Sequence, residues 1–281
     1  MQNIEELLQV AVEDHLKKYC YSNYEVFSEG CRPLEERRVA SIEAHPPYYC
    51  YQHNECILHT LIKAGVESSC LERRGALVVN KFDGEQDEKA LFDTMMPHSV
   101  VIVDNAYLVD VGFGGNSLRG PLPFRRLEEE ILFHGEFYRF KRCDEFRHNS
   151  SPPLAEWWGV MIRVDSRWFE LWRFQANVTL DREGLEQMNR DLFLAPQEVN
   201  IRDVYLLVGR VLPTKRVYLY GRKVESKPLL KSLELTSVEG CIQQKITHID
   251  CIGNLEDSLK EEFDFPLPPQ NVLDVLYFGQ D

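Results

Sequence analysis

Residues 46–65 read PPYYCYQHNECILHTLIKAG. Pro46 and Pro47 fix an extended approach, Ile57, Leu58, Leu61 and Ile62 recur at helical spacing, and Gly65 supplies a stop. The pattern predicts a short buried helix with Cys50 in or near its first turn. There the unpaired backbone N–H groups and the positive end of the helix dipole favour a thiolate, the reactive form of cysteine. Free cysteine is among the most buried residue types, so Cys50 alone reads as packing. A base supplied from elsewhere in the chain is what would make it a nucleophile.

The chain around this helix has 281 residues, of which 44% are hydrophobic, enough for ordinary globular cores. A formal charge of -13 disfavours a general nucleic-acid or anionic-membrane surface, so any anionic ligand must be met by local basic residues. The cysteines at 20, 31, 50, 56, 70, 143, 241 and 251 form no CxxC pair and no Cys/His cluster at zinc spacing, and no metal is expected. The N-terminus is acidic and amphipathic, unlike a secretory signal, and no apolar run approaches the length of a membrane span. These features predict a cytoplasmic protein with free thiols and without nucleic-acid or membrane partners, and they leave the oligomeric state open.

Residues 1–19 place Ile4, Leu7, Leu8 and Ala11 on one helical face, and 20–49 carry no clear period, so 1–68 read as a helical domain carrying the nucleophile helix. From Leu71 the chain breaks into short apolar runs, GALVVN, HSVVIVD, AYLVDVGFGG, FHGEFYRF, EWWGVMIRVD and RWFELWRFQ, separated by polar turns. Their spacing predicts an antiparallel barrel or sandwich over 69–174. A helix beginning near Asp181, with Leu185, Met188 and Leu192 inward, precedes two more strand-like runs, an ambiguous SVEGCIQQKI and a helical LEDSLKEEF. Residues 175–281 thus read as a mixed α/β unit, and the fold class is α+β.

His98 opens the run SVVIVD and Asp110 closes AYLVD. In a hairpin centred on Asp104 the two residues pair directly across the strands on one face, with Asp104 and Asn105 as turn residues. Asp110 would then hold one imidazole nitrogen and leave the other facing Cys50, an orienter–base–nucleophile arrangement. A lone histidine at a strand start is more often a satisfied core residue; the combination on one face, downstream of a helix-start cysteine, is what points to chemistry. The following Val111-Gly112-Phe113-Gly114-Gly115-Asn116-Ser117 has glycines that let backbone amides approach an oxyanion or phosphate. Arg119, Arg125 and Arg126 lie just beyond, placed to offset the chain's negative field.

The run Tyr49-Cys50-Tyr51-Gln52-His53-Asn54, His98, and Val109-Asp110-Val111-Gly112-Phe113-Gly114-Gly115 with Pro121-Leu122-Pro123 closely resemble the arylamine N-acetyltransferases, particularly the bacterial type. The likeness extends more weakly through LDREGLEQMNRDLFLAPQEVN. It implies a helical domain, a barrel and a lid, with Cys50 as nucleophile, His98 as base and Asp110 as orienter. It also implies acetyl-CoA as donor and an aromatic amine, hydrazine or N-hydroxyarylamine as acceptor. Thr94 and Gly114, Gly115, Asn116 and Ser117 fall where family members contact the CoA chain. The chain departs from the family in having Pro46-Pro47-Tyr48 in place of Arg-Gly-Gly, and in lacking a Phe-Glu-Asn segment. Two other readings keep the residues and change the role: a thiol hydrolase or amide synthase of the transglutaminase or papain type, and a non-catalytic relic of the fold.

Overall fold

The computed structural model describes residues 3–30, 32–43, 49–83, 97–124, 128–143, 156–164, 166–194, 205–222, 230–238, 241–274 and 276. The first helix, α1 (Ile4–Lys18), is capped by Asn3, whose side chain accepts from the Glu5 amide at 3.2 Å. It buries Leu8, Ala11, Val12, His15 and Leu16. The stretch without a sequence period holds a two-residue strand, β1 (Tyr21–Ser22), and a short helix, α2 (Tyr24–Gly30). The helix expected around Cys50 is α3 (Cys50–Lys63), with Ile57, Leu58 and Leu61 buried as expected. Ile62 lies at the edge of that stripe and is 40% exposed. The prolines expected to lead into it, Pro46 and Pro47, lie outside the described residues.

The next strands are β2 (Leu71–Phe82), β3 (Pro97–Val103), β4 (Tyr107–Val109), β5 (Leu122–Pro123), β6 (Ile131–Phe133), β7 (Glu136–Arg142), β8 (Trp157–Val164) and β9 (Arg167–Thr179). They form one antiparallel sheet in the order β5-β4-β3-β2-β9-β8-β7-β6, curled into a nearly closed barrel. The period-2 rule sorts β3 cleanly. Val100 and Ile102 join the barrel interior with Leu108, Phe140, Trp172 and Phe174. Val101 and Val103 face the other way and pack with Leu8, Val12, Ile57 and Leu61 of the two helices. One strand therefore serves two cores and docks the helices on the barrel.

Helix α4 (Arg182–Leu194) follows, burying Leu185 and Leu192 with Met188 half-buried beside them. Strands β10 (Tyr205–Val211), β11 (Lys215–Arg222), β12 (Leu230–Val238) and β13 (Cys241–His248) make a second antiparallel sheet, ordered β1-β10-β11-β12-β13. The ambiguous SVEGCIQQKI resolves into the end of β12 and the start of β13. LEDSLKEEF forms the end of α5 (Ile252–Ser258) and a π-helical turn, Leu259–Phe263. A last short helix, α6, spans Gln270–Leu273. Because β1 pairs with β10, the N-terminal segment is stitched into the second sheet.

One buried ion pair joins the two sheets. Arg216 of β11, 1% exposed, sends Nε and Nη2 to the Glu136 carboxylate of β7 at 2.7 and 2.6 Å. Its Nη1 donates to the carbonyls of Gly115 and Ser117 at 2.6 and 2.7 Å. Burial alone would raise the Glu136 carboxyl; the charge and hydrogen bonds of Arg216, with Arg119 and Tyr138, outweigh it and hold it at about 2. Arg119 is thus part of this buried group: it lies 3.6 Å from Glu136 and donates to the Pro213 carbonyl. Arg125 and Arg126 lie outside the described residues. Replacing Arg216 by Met strands the carboxylate and is expected to cost about 3–5 kcal/mol, read as a lower urea midpoint. A carboxyl with a depressed pKa stabilises above its unfolded value of about 4.3 and loses that contribution as pH falls. Acid unfolding of the wild type between about pH 4 and 2 is therefore expected to be steeper than that of Glu136→Gln.

Candidate active site

Tyr49 precedes the first turn of α3, and its amide donates to the Gln52 side-chain oxygen at 3.4 Å, closing half of a capping box. Cys50 is the first helical residue and is 5% exposed. From the barrel, His98 stands at the start of β3 opposite Ala76, a residue small enough to leave space for an imidazole. Asp110 follows directly on β4 and is fully buried.

The register differs from the expected one. Val101 pairs with Val109, Ile102 with Leu108 and Val103 with Tyr107, so the hairpin is centred on Asn105 rather than Asp104. Asp104 and Asn105 both adopt positive φ, 50° and 48°, in a loop that Ala106 completes by donating to the Val103 carbonyl at 3.0 Å. Moving the centre by one residue shifts each partner by two, which preserves the face. His98 and Asp110 are therefore diagonal neighbours on the inner face, and their side chains close the gap: Nε2 of His98 lies 2.8 Å from Oδ2 of Asp110.

The ring's other nitrogen is left for Cys50, which acts on the ring together with Asp110. Burial alone would lower the His98 pKa; the charge and hydrogen bond of Asp110, reinforced by Cys50, outweigh it and raise it to about 10. The second oxygen of Asp110 accepts from Nδ2 of Asn54 at 3.1 Å and from the Gly112 amide at 3.0 Å. Asn54 sits one turn after Cys50 on α3, and also donates to the Ser99 carbonyl at 2.5 Å and accepts from the Val111 amide at 3.2 Å. It fastens α3 to the carboxylate that holds the His98 ring. Its spacing of four from Cys50 put it on the same face, a signal the sequence offered.

The glycine-rich exit from β4 is used largely for packing. A Cβ on Gly112 would come 2.5 Å from the Cys50 carbonyl oxygen and 2.8 Å from Asn54. One on Gly115 would run into the ring of Tyr218, whose hydroxyl donates to Asn116. The amides of Phe113, Asn116 and Ser117 are bonded within the turn, to Ser117 Oγ and to the carbonyls of Phe113 and Gly114. Gly115 and Ser117 are buried; Gly114 and Asn116 are partly exposed. Thr94 lies outside the described residues.

Aromatic residues that the sequence did not assign enclose the site. Trp172 of β9 is fully buried and meets the His98 ring edge-on at 6.0 Å, while Phe113 packs on both, at 5.2 Å from His98 and 4.8 Å from Trp172. Tyr21 of β1 stacks on His53 at 5.9 Å. Desolvation and the neighbouring charges of Cys50 and Asp110 push its phenol well above the usual range. His53 in turn shares a 2.9 Å hydrogen bond with His15 of α1, a buried imidazole that desolvation, then His53, keeps from protonating. Cys20, Cys56, Cys70, Cys143 and Cys251 are free thiols like Cys50. Among the described residues no cluster of His, Cys, Asp or Glu is placed to hold a metal ion, and no helix is long and apolar enough to cross a membrane.

A sequence model described as N-acetyltransferase matches residues 3–272. The chain belongs to the N-acetyltransferase family. Its resemblance to the arylamine N-acetyltransferases is carried by relatives as well as motifs. An arylamine N-acetyltransferase of Mycolicibacterium smegmatis is 30% identical over 109 residues, which span 39% of this chain and 38% of that protein. A solved structure of the Mycobacterium smegmatis enzyme superposes with a TM-score of 0.69 at 21% identity, over 97% of this chain and 92% of that one. The Mycobacterium marinum enzyme, solved in complex with CoA, superposes with a TM-score of 0.64 at 19% identity over 98% and 89%. At these identities the superpositions establish a shared fold.

Two outcomes follow from the geometry of this family member. Gly112→Ala forces the Cys50 turn and Asn54 away from Asp110, and is expected to cost about 1–3 kcal/mol with slower Cys50 alkylation; unchanged stability and alkylation would contradict the close approach. His98 has a raised pKa, so its stabilising contribution is complete below the unfolded value of about 6.5 and is lost as pH rises toward the folded one. The thermal midpoint of the wild type, relative to His98→Gln, is expected to decline between about pH 7 and 10. Parallel curves would show that the ring is not held protonated.

Proposed function

We propose that the protein transfers an acetyl group from acetyl-CoA to an aromatic amine, hydrazine or N-hydroxyarylamine through an acetyl-cysteine at Cys50. The observation that carries this reading is the convergence of Cys50, His98 and Asp110 from a helix start and two strand ends in a buried cluster, with His98 hydrogen-bonded to Asp110. Membership of the N-acetyltransferase family supports the reaction class, and the CoA bound to the Mycobacterium marinum relative supports the donor.

In the first half-reaction the Cys50 sulfur, its proton already resting on His98, attacks the thioester carbonyl. The carbon–sulfur bond to CoA breaks, and the imidazolium returns the proton to the departing CoA thiolate. In the second, the amine nitrogen attacks the acetyl-cysteine, His98 takes the amine proton, and the carbon–sulfur bond to Cys50 breaks to give the amide and the free thiol. A thiol leaving group needs no strong acid, which fits a site whose carboxylate is spent on holding the imidazole. Asp110 keeps the ring oriented and balances its charge. Thr94 and the turn Gly114, Gly115, Asn116 and Ser117 are assigned to the CoA path.

Incubation with acetyl-CoA alone, followed by intact and peptide mass measurement, is expected to show one acetyl group on Cys50 that is discharged by added arylamine. Cys50→Ser is expected to show none. His98→Ala is expected to slow acetylation by roughly 10²–10⁴-fold. An unmodified Cys50 that is nevertheless rapidly alkylated would favour the thiol hydrolase or amide synthase instead, and a thiol inert to both reagents would favour the relic.

A further inference from the structure

A cavity of about 370 Å³ opens between α2, residues 38–40, the end of α4 and the segment Phe265–Pro269. None of Cys50, His98 and Asp110 lines it. Its volume falls in the range of small-molecule sites, and Tyr24, Phe193, Phe265 and Leu267 give it an aromatic and aliphatic wall. Tyr24 and Phe265 meet edge to face at 5.2 Å, and the Tyr24 hydroxyl is buried without a hydrogen bond.

Two carboxylates lie in the wall, and they differ. Glu29 is satisfied: it accepts from the Arg38 amide at 2.7 Å and lies 3.5 Å from the Arg32 guanidinium. Among the described residues Glu25 accepts only from Nε2 of Gln52, at 3.3 Å, and no cation lies within ion-pair distance of it. Burial and the like charge of Glu29 outweigh that hydrogen bond and raise its carboxyl above the ordinary value. A partly buried carboxylate without a counter-ion among the described residues, at the edge of an aromatic cavity in a chain of net charge -13, is complementary to an organic cation.

We propose that this cavity binds a protonated aliphatic amine with an apolar body, its ammonium group on Glu25 and its body against Tyr24, Phe193 and Phe265. The site is separate from the acetyl-transfer cleft but touches its frame. Gln52, the donor to Glu25, also accepts from the Tyr49 amide at the start of α3, and the Phe193 ring packs on Tyr49 at 5.8 Å. An arylalkylamine, charged at neutral pH, is thereby distinguished from an arylamine acceptor, whose nitrogen is neutral there.

The test is calorimetric titration of the full chain, with Cys50 alkylated to block the reactive cleft, against 2-phenylethylamine, 2-phenylethanol and phenylacetate. No acetyl donor is present, so the result is independent of whether the protein transfers acetyl groups. One molecule of the amine is expected to bind, with the alcohol weaker and phenylacetate not binding. Glu25→Gln is expected to weaken the amine tenfold or more, and Leu267→Trp, which fills the cavity, to abolish binding; the exposed Glu256→Gln is the control and is expected to bind like the wild type. Absence of binding to the parent protein overturns the proposal. So does equal binding of phenylacetate, or amine binding unchanged by Leu267→Trp, a result that stands even if Glu25→Gln fails to fold.

Discussion

A carboxylate with no access to water has to be met on every side by donors, and Asp110 is such a group. It is met by the imidazole of His98, the amide of Asn54 and the backbone N–H of Gly112. Each of these donors belongs to a different piece of the fold: the start of β3, the second turn of α3, and the chain leaving β4. Satisfying one buried charge therefore fixes the helix that carries Cys50 against the strand that carries His98. Losing any one donor leaves part of that charge uncompensated, so position and stability are linked at the site.

The same logic recurs one step outward. Arg216 is buried in the second sheet and is met by Glu136, Tyr138 and the carbonyls of Gly115 and Ser117. Those carbonyls belong to the turn that follows Asp110, so the second sheet holds the site from behind. Gly209 of β10 lies so close to Gly114 and Gly115 that a side chain there has no space. The glycines of this exit thus let two layers of backbone approach, which explains their number without invoking a ligand.

Much of this was legible in the sequence because it rests on local rules. The apolar spacing and Gly65 located α3 and placed Cys50 at its start. The even separation of His98 and Asp110 put them on one face in either register, so an error of one residue in the hairpin centre left the inference intact. What stayed hidden depends on distant contacts. Nothing in the aperiodic stretch 20–49 marks Tyr21 as a strand residue beside Cys50, since β1 exists only by pairing with β10. The alternation in RWFELWRFQ gives Trp172 a face but not a neighbour, and Arg216 reads as an ordinary charge until Glu136, eighty residues earlier in the chain, is brought to it. SVEGCIQQKI was ambiguous because a hairpin with a short turn and a broken helix share its composition.

The central physical claim is that Asp110 and Cys50 together hold the buried His98 ring protonated through neutral pH, overriding the desolvation that would neutralise it. Nuclear magnetic resonance of the imidazole nitrogens, assigned by comparison with His98→Gln, measures this directly. The account predicts a ring that keeps both protons past pH 8 and titrates near the value of about 10, falling toward the ordinary range in Asp110→Asn. A His98 that loses its proton near the unperturbed value of about 6.5, with Asp110 intact, would contradict it.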